Sequence, residues 1–212
     1  KINAPALYEI HSGLRGKAYG YLNVQAKPRL KATANLVVDG FSFNNLCSVK
    51  QLKIEGELPT SDTTPTILTA KLNSLRSGER EIQQGEISVA GTRKAHVLKV
   101  KAENKLSEFY VQLAGGFNAN NDWYGQIQKG DFDSLRTRLV QKQNASVIYH
   151  TNNSELFIGA HCWMSQQSQL CFDQPIRTSK TKGNVSFVTQ NVDLSDFSAF
   201  MPDGLAITGK VN

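Results

Sequence analysis

Hydrophobic and polar side chains alternate with a period of two along most of the chain, and short polar stretches interrupt this alternation. From Leu14 to Ala26 the even positions are small or apolar, whereas the odd positions are polar or aromatic. A period of two is typical of a β-strand with one buried and one solvated face. Gly, Asn, Asp, Ser and Pro, which favour turns, separate the alternating segments. The pattern predicts an all-β protein.

The same alternation recurs in at least a dozen further segments. Strands are therefore expected at 14–26, 30–38, 52–58, 68–72, 85–91, 98–102, 109–117, 123–127, 145–149, 155–164, 169–172, 183–191 and 204–211. Two segments favour short helices instead, at 43–49 and at 194–201. The second of these has Asp193 or Ser195 as a helix cap and ends at Pro202.

Alternation alone does not distinguish a sandwich, a closed barrel and an open curved sheet. Three features of the sequence favour strong curvature or an unfilled channel: the number of consecutive strands, the absence of helical crossovers, and the many Gly and Ala residues at apolar positions. Small side chains let a sheet curve tightly, whereas a packed sandwich requires more bulk.

One apolar set of side chains is predicted to line a single concave face. The set changes from even to odd positions where loops intervene. Its members are Leu22, Val24, Leu36, Leu52, Ile54, Leu68, Leu72, Ile87, Val89, Leu98, Val100, Phe109, Val111 and Leu113. Lysines between them, such as Lys31, Lys53 and Lys99, are expected on the opposite, solvated face.

Composition narrows the class of protein. Of 212 residues, 40% are hydrophobic and 20% are charged, and no apolar run approaches the roughly 20 residues of a membrane-spanning helix. The net charge is +6, but the basic residues are scattered singly and no nucleic-acid-binding motif accompanies them. Without an initial Met or a signal peptide, residues 1–212 are expected to be one elongated segment of a longer protein. Any membrane anchor is expected outside it.

Two of the three cysteines flank a potential hairpin. With a turn centred on Gln166 and Gln167, Cys162 and Cys171 form a non-hydrogen-bonded pair whose Cα atoms approach to about 4.5 Å. That separation permits a disulfide, although Gln-Gln is not a preferred hairpin turn. The alternative is two buried thiols in a reducing compartment. Cys47 is expected to stay free as a small buried side chain, unless it pairs outside this segment.

A search for catalytic or metal-binding groups returns little. The four histidines lie far apart and show no metal-ligand spacing, and no nucleophile elbow is present. Asp131 and Asp133 would share one face of a strand and suit a cation, although turn residues beside a strand end explain them better. Residues 204–210 have the spacing of a phosphate loop but lack its Ser or Thr. No enzyme activity, cofactor or metal is predicted.

Several motifs after Asp122 together resemble a known family. They are Trp123-Tyr124-Gly125-Gln126-Ile127, Cys162-Trp163, Leu170-Cys171-Phe172, Val192-Asp193-Leu194, Phe200-Met201-Pro202-Asp203-Gly204-Leu205 and Gly209-Lys210-Val211. In this order they resemble the TamB branch of the AsmA-like family of bacterial envelope proteins. Residues 1–121 fit the family by their strand pattern.

The resemblance implies a periplasmic protein anchored to the inner membrane. Its sheet would be folded along its length into a β-taco with an apolar groove, in which phospholipid acyl chains move between the inner and outer membranes and support outer-membrane biogenesis. At about 4.8 Å per strand, 12 to 15 strands would extend about 60–70 Å. Docking to a TamA-like outer-membrane protein, and contact with membranes, would use regions outside residues 1–212.

Two other functions are considered. Within the same family, the segment can serve the translocation and assembly of outer-membrane β-barrel or autotransporter proteins with TamA, by pairing unfinished strands at an open sheet edge. A different class, an extracellular β-rich adhesin or passenger, is also compatible with alternation. Against it stand the variable strand lengths and the absence of a fixed repeat period.

Overall fold

The computed structural model describes residues 2–9, 11–26, 30–44, 46–78, 80–180, 182–193 and 210–211. Strands dominate this part of the chain, and a single turn of 3-10 helix covers Leu7–Glu9. The strands are β1 (Ile2–Ala4), β2 (Leu14–Gln25), β3 (Lys31–Phe43), β4 (Cys47–Glu57), β5 (Thr66–Ser77), β6 (Arg80–Gly91), β7 (His96–Glu103), β8 (Ser107–Phe117), β9 (Trp123–Ser134), β10 (Arg138–Gln141), β11 (Ala145–His150), β12 (Glu155–Ile158), β13 (His161–Met164), β14 (Gln169–Phe172), β15 (Ile176–Thr178), β16 (Gly183–Asn184), β17 (Val188–Gln190), β18 (Val192–Asp193) and β19 (Lys210–Val211).

The first nine strands form a continuous antiparallel meander. Each strand from β1 to β8 pairs with the next one along the chain, and most have eight to thirteen residues. Consecutive antiparallel strands need only short connections, because a tight turn joins them directly. The predicted succession of strands without helical crossovers is thereby confirmed for this half of the chain.

The sheet forks at β9. The first half of β9, Trp123–Ile127, pairs with β11, whereas Asp131–Asp133 pair with β10. Between these halves the register against β8 shifts by one residue at Gln128, and such a bulge bends a strand and increases its twist. The first branch continues from β10 through β13 and β14 to β17, and the second continues from β11 through β12 and β15 to β16. The chain passes alternately between the two branches.

A line of irregular residues crosses the meander from β2 to β6. Gly16 (φ 111°), Gly40 (φ 60°) and Ser74 (φ 51°) have left-handed backbone conformations. The regular ladder skips the pair of Gly40 with Lys50, the pair of Lys50 with Ser74, and the pair of Ser74 with Gln83. Because irregularities of this kind bend strands, their alignment curves the sheet along one line. The result is an open, curved antiparallel sheet consistent with the predicted β-taco.

Several predicted boundaries are wrong. The helix expected at 43–49 does not form: β3 ends at Phe43, Asn44 turns the chain with φ 47°, and β4 begins at Cys47. The single strand expected at 155–164 is divided between β12 and β13, because these strands belong to different branches. Likewise, 183–191 contains β16 and β17. The helix predicted at 194–201, and most of the strand at 204–211, lie outside the described residues.

Candidate functional site

Cross-strand register places all of the predicted apolar side chains on one face of the sheet, which we call the apolar face. Three rows of directly opposed residues run across the meander. They are Gly20, Leu36, Ile54, Ala70, Ile87, Val100, Val111 and Gly130; Ala18, Val38, Leu52, Leu72, Gly85, Ala102, Phe109 and Phe132; and Leu22, Ala34, Gly56, Leu68, Val89, Leu98, Leu113 and Ile127. Val24 continues the face at the end of β2, opposite Ala32. None of these positions carries a charged side chain.

Exposure varies along the apolar face, and Ala18, Ala34 and Val38 on β2 and β3 are buried, as are residues of β9. Leu22 is 55% exposed and Ile87 is 47% exposed, whereas Ile127 is 7% and Phe132 is 1% exposed. Most of the aliphatic side chains between them are half-buried. Within the described part of the chain, this face is therefore covered at the fork and, where Leu7 packs on Ala18 and Val38, at the start of the meander, and it is partly exposed in between.

Two tryptophans close the face where the sheet forks. A Cβ atom built on Gly130 would lie 2.3 Å from the indole of Trp163, and one built on Gly125 would lie 2.5 Å from the indole of Trp123. Each indole thus lies directly on a glycine backbone, which a larger residue would not allow. Trp163 also stacks on Phe109 at 6.2 Å between ring centroids.

Each tryptophan belongs to a separate buried cluster. Trp163, on the first branch, packs with Phe132, Leu139 and Val192. The Trp123 cluster, in the second branch, contains Ile127, Ala145 and Val147. Val111 packs against both clusters, so it stands at the point where the apolar face divides.

A buried hydrogen bond holds Trp123 in place. Its indole N–H donates to Nε2 of His96 at 2.8 Å, and Nδ1 of His96 lies 3.0 Å from the carbonyl oxygen of Thr92. Because Nε2 accepts, the imidazole proton is on Nδ1 and is donated to Thr92, which makes His96 neutral. No motif in the sequence assigns this role to Trp123 or His96. The one indication is Gly125, which is two residues after Trp123 and leaves room for a large side chain on the same face of the strand.

The opposite face of the meander, here called the outer face, carries the charges. One of its rows contains Val37, Lys53, Lys71, Glu86, Lys101 and Tyr110. Lys71 pairs with Glu86 at 3.3 Å, and Lys101 pairs with Glu103 and Glu108. The hydrogen bonds that Lys101 donates to the carboxylates of Glu103 and Glu108 raise its pKa. Such exposed pairs contribute little individually, but they keep the outer face hydrated.

Asp131 and Asp133 lie on this outer face beside Arg138. The Arg138 guanidinium is 2.9 Å from Asp131 and 3.9 Å from Asp133, and the hydrogen bond to Asp131 is the main cause of the raised pKa of Arg138. Asp131 and Asp133 therefore form ion pairs with Arg138 at the β9–β10 hairpin, which explains why two carboxylates lie there. No group of three or more His, Cys, Asp or Glu residues that could hold a metal ion occurs among the residues described.

Cys162 and Cys171 form the predicted disulfide. They face each other in the β13–β14 ladder with Cα atoms 4.1 Å apart, and Cys47 is free. The turn forms although Gln166-Gln167 is not a preferred central pair, because the Ser165 side chain stabilises it. Its hydroxyl oxygen accepts hydrogen bonds from the backbone N–H groups of Gln167 and Ser168, at 3.2 and 2.9 Å.

The fold and the distribution of charges indicate a class of protein. An open antiparallel sheet with one uncharged, partly exposed face and one charged face is suited to holding apolar material along a groove. No helix in the described residues is long and apolar enough to cross a membrane.

A family model described as "TamB, N-terminal domain" matches residues 1–212, and the chain belongs to the TamB family. The match extends the resemblance, carried by motifs after Asp122, to the whole chain. One curated relative, "Translocation and assembly module subunit TamB" of Haemophilus influenzae, is 24% identical over 201 residues, which are 91% of this chain and 15% of that protein. The chain thus spans a small part of that relative's length. No solved structure matches it.

Proposed function

We propose that the apolar face holds phospholipid acyl chains, and that residues 1–212 form one segment of a periplasmic bridge for phospholipid between the inner and outer membranes. The full-length protein would be anchored to the inner membrane, as an envelope protein of the TamB family. The observation that carries the proposal is the uncharged face, which leaves large side chains such as Leu22 and Ile87 exposed. Soluble proteins rarely expose a continuous apolar surface without a partner.

The physical chemistry of the face suits movement along it. Burial of an acyl chain gains about 0.8 kcal/mol per CH₂ group and is non-directional, so a lipid can slide from row to row. Among the described residues, the nine strands of the meander continue into four strands of either branch. At roughly 4.8 Å per strand, such a run would extend about 60 Å. Transport of this kind requires no catalytic residue.

Ile87→Asp in the full-length protein tests the proposal. Ile87 lies in the middle of the open part of the face, where an unpaired carboxylate would obstruct an acyl chain because its burial costs several kcal/mol. We expect loss of phospholipid transport, measured with labelled lipid between the two membranes, at normal protein abundance. Ser88→Asp is the matched control, since Ser88 lies on the outer face opposite Lys99.

Photocrosslinking gives an independent measurement at the same positions. Probes at Ile87 and Leu98 should capture phospholipid, whereas probes at Ser88 and Lys99 should not. Val111 and Leu113 are less suitable for charged substitutions because both pack against the buried clusters. Equal lipid capture on both faces, or normal transport by Ile87→Asp, would contradict the conduit.

A second candidate function is the translocation and assembly of outer-membrane proteins together with a TamA-like partner. The relative's name supports it, and so does one feature of the fold: β1 pairs with β2 only from Ala18 to Gly20, so the outer edge of Tyr21–Val24 lacks a neighbouring strand among the described residues. An unfinished strand can add to such an edge. Normal lipid transport by Ile87→Asp, combined with defective outer-membrane protein assembly when Pro replaces Asn23, would favour this function.

A further inference from the structure

A cavity of about 720 Å³ lies on the outer face of the second branch, away from the apolar face. Its floor is a row of directly opposed residues from four strands: Ile148, Phe157, Arg177 and Asn184. The first two are apolar, and the last two carry hydrogen-bond donors. The floor therefore has an apolar half, formed by Ile148 and Phe157, and a donor half, formed by Arg177 and Asn184.

The donor half is basic. Arg177 lies over the ring of Phe157, with Cζ 5.3 Å from the ring centroid, which fixes the plane of the guanidinium and leaves its N–H edge available. Lys182, on the hairpin after β15, lines the same cavity. Neither cation has a carboxylate within ion-pair distance among the residues that the structure describes. By contrast, many cations on the meander are paired, as Lys71 is with Glu86.

An acidic group also lines the cavity. Glu155 is opposite His150, and His150 contacts Asp122 at 3.1 Å through Nδ1. Glu155 is on the same strand as Phe157 but two residues away, at the end of β12 where the hairpin with Lys182 also lies. The carboxylate is on β12, whereas Arg177 is on β15 and Lys182 on the hairpin after it, so an anion would be attracted to the β15–β16 side of the cavity.

We propose that this cavity binds an anionic amphiphile, in which a phosphate group is joined directly to an apolar chain. The phosphate would lie between Arg177 and Lys182, where the planar guanidinium can donate two hydrogen bonds to its oxygens. The apolar part would lie over Phe157 and Ile148. The proposal does not depend on the lipid conduit, because the cavity and the apolar face are on opposite sides of the sheet.

The test uses a photoreactive, short-chain phosphatidic acid and the full-length protein. Crosslinked peptides are mapped by mass spectrometry, so that labelling of 145–158 reports the cavity and labelling of 66–102 reports the apolar face. We expect cavity labelling by phosphatidic acid but not by the same diacylglycerol without phosphate. Arg177→Gln and Lys182→Gln should each lower it about tenfold, whereas Lys99→Gln, which removes an equal charge elsewhere on the outer face, should not.

Competition experiments identify the source of the phosphate. Short-chain phospholipid should displace the probe, whereas inorganic phosphate at the same concentration should not, because it lacks the apolar half. Equal displacement by inorganic phosphate or by an acidic peptide would overturn the amphiphile site, as would undiminished cavity labelling of Arg177→Gln. Unchanged labelling of 66–102 in the variants shows that the protein is folded. Loss of labelling at 66–102 alone would instead reject the lipid conduit.

Discussion

At the scale of single residues, glycine positions decide where the apolar face closes. Trp163 and Trp123 can lie on the sheet only because Gly130 and Gly125 present backbone without a side chain. The sequence showed that glycines were frequent on this face, and curvature was the expected reason. These glycines also make room for indole rings. Gly130 and the Trp163 ring that lies on it are more than 30 positions apart in the sequence. Only the pairing of β10 with β13 brings Trp163 to Gly130.

Gly130→Ala tests this contact. The new Cβ would lie 2.3 Å from the Trp163 ring, and overpacking of this kind costs about 1–3 kcal/mol. We expect a lower free energy of unfolding and a shift in Trp fluorescence, both measured by denaturant titration. Gly183→Ala is the control, because its Cβ would make only an ordinary contact at 3.6 Å from Thr178. Equal stability of the two variants would show that Trp163 does not rest on Gly130.

At the scale of elements, one turn device recurs at the hairpins. The first residue of the turn uses its side-chain oxygen to accept backbone N–H groups two or three positions later. It occurs at Asn104, Ser134, Ser165 and Ser179. Asn and Ser favour turns for this reason. The sequence consequently located most hairpins, although the central Gln-Gln pair gave no such signal.

The disulfide stabilises the β13–β14 hairpin that carries Trp163. Its cysteines are nine residues apart, and closing so short a loop stabilises by about 2–3 kcal/mol in the chain-entropy model. We expect Cys162→Ser with Cys171→Ser to lower the free energy of unfolding by that amount. Alkylation without reductant should modify Cys47 and leave the other two cysteines unmodified. Three modified cysteines would mean that the pair is reduced.

At the scale of the whole molecule, the charged outer face makes stability dependent on pH. The pKa of Asp39 is lowered by hydrogen bonds donated by Gln51 and Tyr19, that of Glu55 by Lys53, and that of Asp62 by Lys94. Each carboxyl therefore binds its proton more weakly in the folded state than in the unfolded state. Its contribution is present above its ordinary pKa, 3.8 for Asp and 4.5 for Glu, and is lost as pH falls through the lower folded-state value.

We accordingly expect the free energy of unfolding to decrease as pH falls below about 4.5, where these carboxyl groups begin to bind protons. The measurement is chemical denaturation between pH 7 and pH 3. Asp39→Asn should flatten this decrease, because the amide does not titrate. High salt should reduce the pH dependence, since these pairs are exposed and screened. A stability that rises on acidification would contradict the assignment.

The sequence by itself determined the existence of strands β2 to β9 although not all of their ends, the face on which each of their side chains lies, and the cysteine pair. These follow from local rules, because a period of two assigns the faces, and a short hairpin sets its own register. Tertiary structure decided the fork at β9, the division of 155–164 between two branches, and the two tryptophans that close the apolar face. The physical reason is that strand pairing beyond a hairpin depends on hydrogen bonds between distant segments, which alternation does not encode.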